Sequence, residues 1–450
     1  MTAARSQATG RRLTHAEILG IALPIMASNI SEPLLGAVDT AVIGQMPQPY
    51  LLGAVALGSS IFSVLFWGFG FLRMGTTGLT AQAFGAADVA ELRAVLGRAL
   101  LIAVACGFML VLLAPVIDAN LFRIIDGSAD LERETRAYVL IRIWAAPFAL
   151  MNYAFLGWFI GLGNTRIAFL LQVLLNITNI ILDVIFVLVF EWGVPGVAAG
   201  TVIASAVAAV AGLAIARREL VRRGGHWDLV RLRDMGALRR MLAVNGDIMI
   251  RSLLLVLSFA FFTAQGARFG DVTLAANGVL MIFLNMYAYL LDGFAFAAEA
   301  LTGRFIGARD LGRFRQAVRM TTVWAGGVGM VLVLVTLLIG DRVIDLLTVS
   351  SDVREMARVY LPWAAAAPIL GVWCFQLDGI FIGATQTRDM RNMSLITTAI
   401  FFAAWWLLLP WGNHGLWATL MIFYLARAAT LLSRYPALER ERFALAASAR

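Results

Sequence analysis

Apolar runs alternate with short polar segments along the whole of this chain. They fall at roughly 17–45, 51–77, 94–117, 133–160, 166–190 and 196–217, then again at roughly 239–267, 274–302, 316–340, 355–383, 392–411 and 414–435. Each is about 18 residues or longer, enough for a helix to cross the hydrocarbon of a bilayer. The pattern predicts an all-α membrane protein with twelve transmembrane helices.

Loop charge tests that count. Segments 84–98, 161–166, 217–240, 303–319 and 384–391 hold most of the loop arginines, including Arg217, Arg218, Arg222, Arg223, Arg239 and Arg240. The segments between them (45–50, 118–132, 191–195, 268–273, 341–354 and 411–413) are neutral, acidic or mixed. Alternation of this kind places both termini in the cytoplasm, and one missed or invented helix would break it. The first twelve residues are polar, with Arg5, Arg11 and Arg12, and no A-x-A-like site follows the first apolar run. An uncleaved cytoplasmic start is expected.

The chain also repeats itself. TAQAFGAAD at 80–88 returns as TGRFIGARD at 302–310, so Gly85 maps onto Gly307. The same offset carries Phe159-Ile160-Gly161 onto Phe381-Ile382-Gly383, Thr165-Arg166 onto Thr387-Arg388, Tyr138 onto Tyr360 and Gly44 onto Gly266. Trp192-Gly193-x-x-Gly196-x-x-Ala199 recurs as Trp411-Gly412-x-x-Gly415-x-x-Ala418. Six helices per half is an even number, so both halves enter the membrane from the same side and the repeat is parallel. We expect two pseudo-symmetric six-helix halves, 1–225 and 226–450, around a central cleft. The arginine-rich linker 217–240, with Gly224-Gly225, joins them. Substrate would bind in the cleft, and one half would move against the other.

Composition then removes whole classes of function. The basic residues number 36 and all are arginine. Without lysine there is no Walker A phosphate loop and no Schiff base for retinal or pyridoxal. His15, His226 and His414 are too scattered for a haem or zinc set, and Cys106 and Cys374 sit in apolar runs as small packing residues. No paired histidines, and no serine with a base, point to an intramembrane enzyme. The formal charge of +8 is explained by the alternating loops, without nucleic acid.

Ionisable residues inside the spans need a reason, since each costs about 2.5–3.5 kcal/mol to insert. They are Glu32, Asp39, Asp183, Asp292, Glu299 and Asp378, with Asp247 near a cytoplasmic end and Arg251 on the seventh helix. The fifth helix is the most organised. Gln172, Asn176, Asn179 and Asp183 share one helical face in a span of Leu, Ile, Val and Phe. That stripe either hydrogen-bonds neighbouring helices or lines a wet cavity. Depth favours a site. Asp39 and Asp183 both lie about 8–11 Å below the outer surface, and Thr201 about 8 Å below it. Asp39, Asn179, Asp183 and Thr201 can therefore form one oxygen-rich layer, suited to a small hard cation or to a proton shared by two carboxylates. Pro24 and Pro33 mark the first helix as kinked, either as a static bend or as a hinge that follows the charge on Asp39. The second half has no such stripe: Asn392, Ser394, Thr397 and Thr398 bring no acid. There Asp292 and Glu299 lie one heptad apart, Asp378 is on the tenth helix, and Arg251 is expected to pair with Asp247 or one of these acids.

These residues resemble the multidrug and toxic compound extrusion (MATE) family. The resemblance rests on Val38-Asp39-Thr40 with Gly44, the Gly85 and Gly307 loops, and Asn179-x-x-x-Asp183. RMGTTGLTAQ at 73–82 and LDGFAFAAEA at 291–300 look like its DinF branch. The resemblance implies export of amphipathic organic compounds from the bacterial cytoplasmic (inner) membrane by a monomer, with proton or sodium as coupling ion and no other cofactor or metal. It places the cation site at Asp39, Asn179, Asp183 and Thr201. It likens Asp378 to an acid used by some members, and finds no deep seventh-helix acid for a second sodium site. A flippase of lipid-linked oligosaccharides, from a related superfamily, is the alternative. Its cationic cavity fits poorly with deep arginines as few as Arg73, Arg142 and Arg251. A channel is disfavoured by the asymmetric acids.

Overall fold

The computed structural model describes residues 13–46, 48–121 and 128–444, apart from the side chains of 32–35, 37, 120 and 121. Among them twelve helical spans follow in chain order: α1 (His15–Ile43), α2 (Pro49–Gly85), α3 (Val89–Leu121), α4 (Ala129–Gly161), α5 (Thr165–Val189), α6 (Gly193–Arg222), α7 (Met235–Phe269), α8 (Asp271–Gly307), α9 (Leu311–Leu347), α10 (Ser351–Gly383), α11 (Thr387–Leu408) and α12 (Gly412–Phe443). Helices are what these sequences must form in lipid, where every backbone N–H and C=O has to find its partner inside the segment. Several overrun the apolar stretches that predict them. The 37 residues of α9, for example, rise about 55 Å, well beyond the hydrocarbon, and arginines occupy the excess turns.

Three spans are interrupted. A turn at Phe69–Gly70 divides α2, a 3-10 turn at Ile143–Ala145 precedes Pro147 in α4, and α5 widens into a π-helix over Val184–Val189. The described chain groups into two compact units. One comprises Ala27–Ala83 with Asp88–Asn245. The other comprises the chain up to Met26, Phe84–Ala87 and everything from Gly246 on. Helix α1 therefore contributes to both.

Inside each unit the repeat governs packing. A Cβ at Gly157 of α4 would collide with the carbonyl oxygen of Arg73 in α2, and a Cβ at Gly379 of α10 with that of Ala295 in α8. One turn on, Gly161 lies against Thr77 and Thr80, and Gly383 against Glu299 and Thr302. All of these pairs keep the sequence offset, so the second and fourth spans of each half meet through the same backbone contact. The turns agree as well. Ala87 and Arg309 both take positive φ, 56° and 55°, where α2 and α8 end. Asp88 N–H and Asp310 N–H close the same wide turn onto Ala83 O and Phe305 O, at 3.0 and 2.9 Å.

The linker packs on its own unit. Arg93 of α3 donates to the carbonyls of Leu220 (2.6 Å) and Gly224 (2.5 Å) at the end of α6, and Arg231 pairs with Asp88 at 2.8 Å.

Candidate functional site

The polar face of α5 points inward. Asn176, Asn179 and Asp183 are buried, whereas Leu170, Leu174, Ile177 and Ile181 are exposed around the same helix. This inverts the arrangement of a soluble helix, as expected when lipid is the outer solvent.

What faces the stripe is fixed by small residues on α6. A Cβ at Gly196 would press on Phe186, and one at Gly200 would stand 2.5 Å from Asp183 Oδ1. One turn separates these glycines, so they give α6 a flat edge on which α5 lies. Phe186 belongs to the π-helical stretch. Its ring stacks on Trp192 at 4.8 Å between centroids, and its carbonyl accepts from Trp192 N–H at 2.8 Å. Asp183 is the last α-helical residue before that widening, a position where π-bulges often reshape functional helices.

Helix α1 closes the layer through two rungs. Lower down, Asn176 Nδ2 donates to Ser31 Oγ at 2.9 Å while accepting from Gln172 Nε2 at 3.1 Å. Two turns above, the carboxyls of Asp39 and Asp183 face each other within hydrogen-bonding reach. Asp39 is 9% exposed and Asp183 fully buried. Asn179 Nδ2 donates to Asp183 Oδ2 at 2.9 Å. The Oδ1 atoms of both aspartates are buried without a hydrogen-bond partner among the described residues. Thr201, 9% exposed, sits one residue beyond Gly200 and donates to Val197 O at 3.1 Å, which leaves its lone pairs available. Two facing carboxyls, an amide that donates to one of them and an unfilled acceptor oxygen on each make an arrangement that can hold a proton or a small cation.

The structure adds Arg142 to this layer, a residue the sequence reading left without a role. It lies within electrostatic reach of both aspartates. Its guanidinium packs over Phe62, 5.1 Å from the ring centroid, and hydrogen-bonds the Tyr138 hydroxyl, which meets Ser59 Oγ at 2.9 Å. The Tyr138–Arg142 spacing of one turn is the signal that could have found it.

The remaining candidates divide. Helix α1 runs unbroken through Pro24; the side chains of Glu32 and Pro33 lie outside the described residues. In the other unit, Arg251 of α7 pairs with Asp378 of α10, whereas Asp247 is held by Arg391 at 2.7 Å and Thr387 at 3.1 Å. Of the two pairings expected for Arg251, the one with Asp247 one turn earlier does not occur. A second guanidinium, Arg427 of α12, joins Asp378 at 2.5 Å. That arginine interrupts the last apolar run, and the sequence shows it as a charge in hydrocarbon. Along α8, Asp292 is half-buried and Glu299 fully buried, and both have partners.

Comparison with known proteins agrees with this architecture. The chain is 44% identical to DNA damage-inducible protein F of Escherichia coli (strain K12) over 91% of its own length and 90% of that protein. It is 25% identical to the probable multidrug resistance protein NorM of Thermotoga maritima, over 88% of this chain and 84% of that one. Among solved structures, the Vibrio cholerae MATE transporter VcmN in its bent form superposes with a TM-score of 0.86 at 22% identity, covering 98% of this chain and 100% of that one. The MatE family profile matches residues 24–185 and 248–405, one block in each half of the repeat. On these grounds the chain belongs to the MatE family of multi-spanning membrane transporters.

Proposed function

We propose that this chain exports amphipathic organic molecules by alternating access, driven by protons that enter through the Asp39–Asp183 layer. The observation that carries the reading is the pair of facing carboxyls buried within the spans. Two such groups repel when both are ionised, so the layer favours holding one proton. The name of one relative, a probable multidrug resistance protein, supports drugs as cargo. Uptake of a proton would remove the repulsion and rearrange the hydrogen bonds of Asn179 and Thr201. The resulting pull on α1 is relieved by bending at Pro24 or Pro33, where proline has removed a backbone hydrogen bond. The cycle needs no cofactor beyond the coupling ion, and a single chain suffices.

Sodium is the second reading, because the same oxygens could ligate it. Efflux from proteoliposomes with separately imposed pH and sodium gradients decides between them. We expect a pH gradient to drive transport in sodium-free buffer; transport that needs sodium and ignores the pH gradient overturns the proton reading and makes the four residues a sodium site.

The proposed setting is the bacterial cytoplasmic membrane with both termini and the linker inside, following the loop arginines. His226 is exposed within the linker. In a chain whose Cys106 and Cys374 are replaced by alanine, His226→Cys should resist a membrane-impermeant maleimide added to intact cells and react after the membrane is opened. Efficient labelling from outside would reverse the orientation.

A further inference from the structure

The unit that lacks the α5 stripe buries a cluster in which two cations share one anion. Arg251, Asp378 and Arg427 are 6%, 6% and 8% exposed, and both guanidiniums converge on one oxygen, Asp378 Oδ2. One carboxylate against two guanidiniums leaves one positive charge, and arginine cannot shed its proton to remove it. The other titratable groups beside Arg427 are Cys374 and Tyr424, neither of which supplies an anion near neutral pH.

The arginines also have donors to spare. Each carries five N–H groups, and each makes one hydrogen bond among the described residues, to Asp378. The remaining four N–H groups of each arginine are left over for a further acceptor. A purely structural ion pair would be expected to balance its charge. Apolar surface lies next to the donors. Arg427 rests over the Phe423 ring at 5.7 Å, and Phe423 packs on Phe401 at 5.3 Å.

We infer that the Arg251–Asp378–Arg427 cluster is a binding site for amphipathic organic anions, in which a carboxylate or sulfonate headgroup takes the free guanidinium N–H groups and the apolar body lies along the aromatic side chains. Planar guanidiniums match the two oxygens of such a headgroup in bidentate fashion. Asp378 holds the two arginines in place and keeps the empty site from carrying two uncompensated charges. This assigns an anionic substrate class to the proposed exporter and rests on that reading only for the step after binding.

The test uses the full-length protein in phosphatidylcholine nanodiscs, with no gradient, and two fluorescent probes of one shape and opposite charge: pyrenebutanoate and pyrenebutyl-trimethylammonium. Binding to empty nanodiscs is subtracted. The unaltered protein should bind the anion at least about tenfold more tightly than the cation. Arg427→Gln should weaken the anion by about tenfold or more with little change for the cation, and Arg427→Lys should keep part of the preference. Equal or better binding of the cation by the unaltered protein overturns the proposal without recourse to any variant. So does an Arg427→Gln protein in which both probes weaken alike. Because binding is read without a gradient, a chain that fails to pump can still pass this test, and one that pumps by binding cations alone fails it.

Discussion

Asp39→Asn should reduce gradient-driven efflux to the level of empty proteoliposomes while the protein remains folded. The substitution keeps the volume of the side chain and one oxygen acceptor, and it removes the group that can exchange a proton. It also ends the repulsion between two buried carboxylates, so the thermal unfolding midpoint should stay level or rise. A mutation that abolishes function without loss of stability separates a coupling group from a packing one. Drug binding at equilibrium, measured without a gradient, should persist in the same protein, because the neutral side chain mimics the protonated state. Asp183→Asn should behave alike, although its Asn179 contact would then join two amides instead of an amide and a carboxylate. If Asp39→Asn still pumps drug against its gradient, coupling belongs to the acids of the other unit, Asp292, Glu299 or Asp378, and the α1–α5 layer is structural.

Much of this layer is legible in the sequence, for a physical reason. A polar residue in lipid has so few permitted positions that its spacing alone reveals the inward face, and Asn176, Asn179 and Asp183 sit on that face in the structure. Helix count and repeat were legible on similar grounds, since span length is set by the bilayer and the small residues of the repeat mark backbone contacts such as Gly157 on Arg73 and Gly379 on Ala295. The π-helical stretch at Val184–Val189 was not. Its residues are ordinary aliphatic and aromatic ones, and the widening arises where Phe186 meets Gly196 and Trp192, a tertiary circumstance with no local code. The partner of Arg251 was also underdetermined. Asp247 is one turn away in sequence, but it is taken by Arg391 from α11. Sequence proximity ranks candidate ion pairs, and packing chooses among them.

That choice has a large consequence at Asp378. Replacing it by alanine should be among the most destabilising single changes in its unit, with a loss of about 3–5 kcal/mol. Its one oxygen Oδ2 serves Arg251 and Arg427 together, and both arginines are buried. Removing it leaves two guanidiniums close to each other with no carboxylate between them. Removing Arg427 has a different sign of effect on the balance, because Arg251 and Asp378 remain as a one-to-one pair. Arg427→Gln should therefore unfold within a few degrees of the parent, whereas Asp378→Ala should unfold far below it. The two changes should also couple, as expected for members of one network. In an Arg427→Gln background, Asp378→Ala orphans one cation instead of two and should cost less than it does alone. Thermal unfolding of the four proteins in the same detergent measures all of this. Equal losses from Asp378→Ala and Arg427→Gln, or additive losses in the double variant, would show that the carboxylate is not the common anchor of the two arginines.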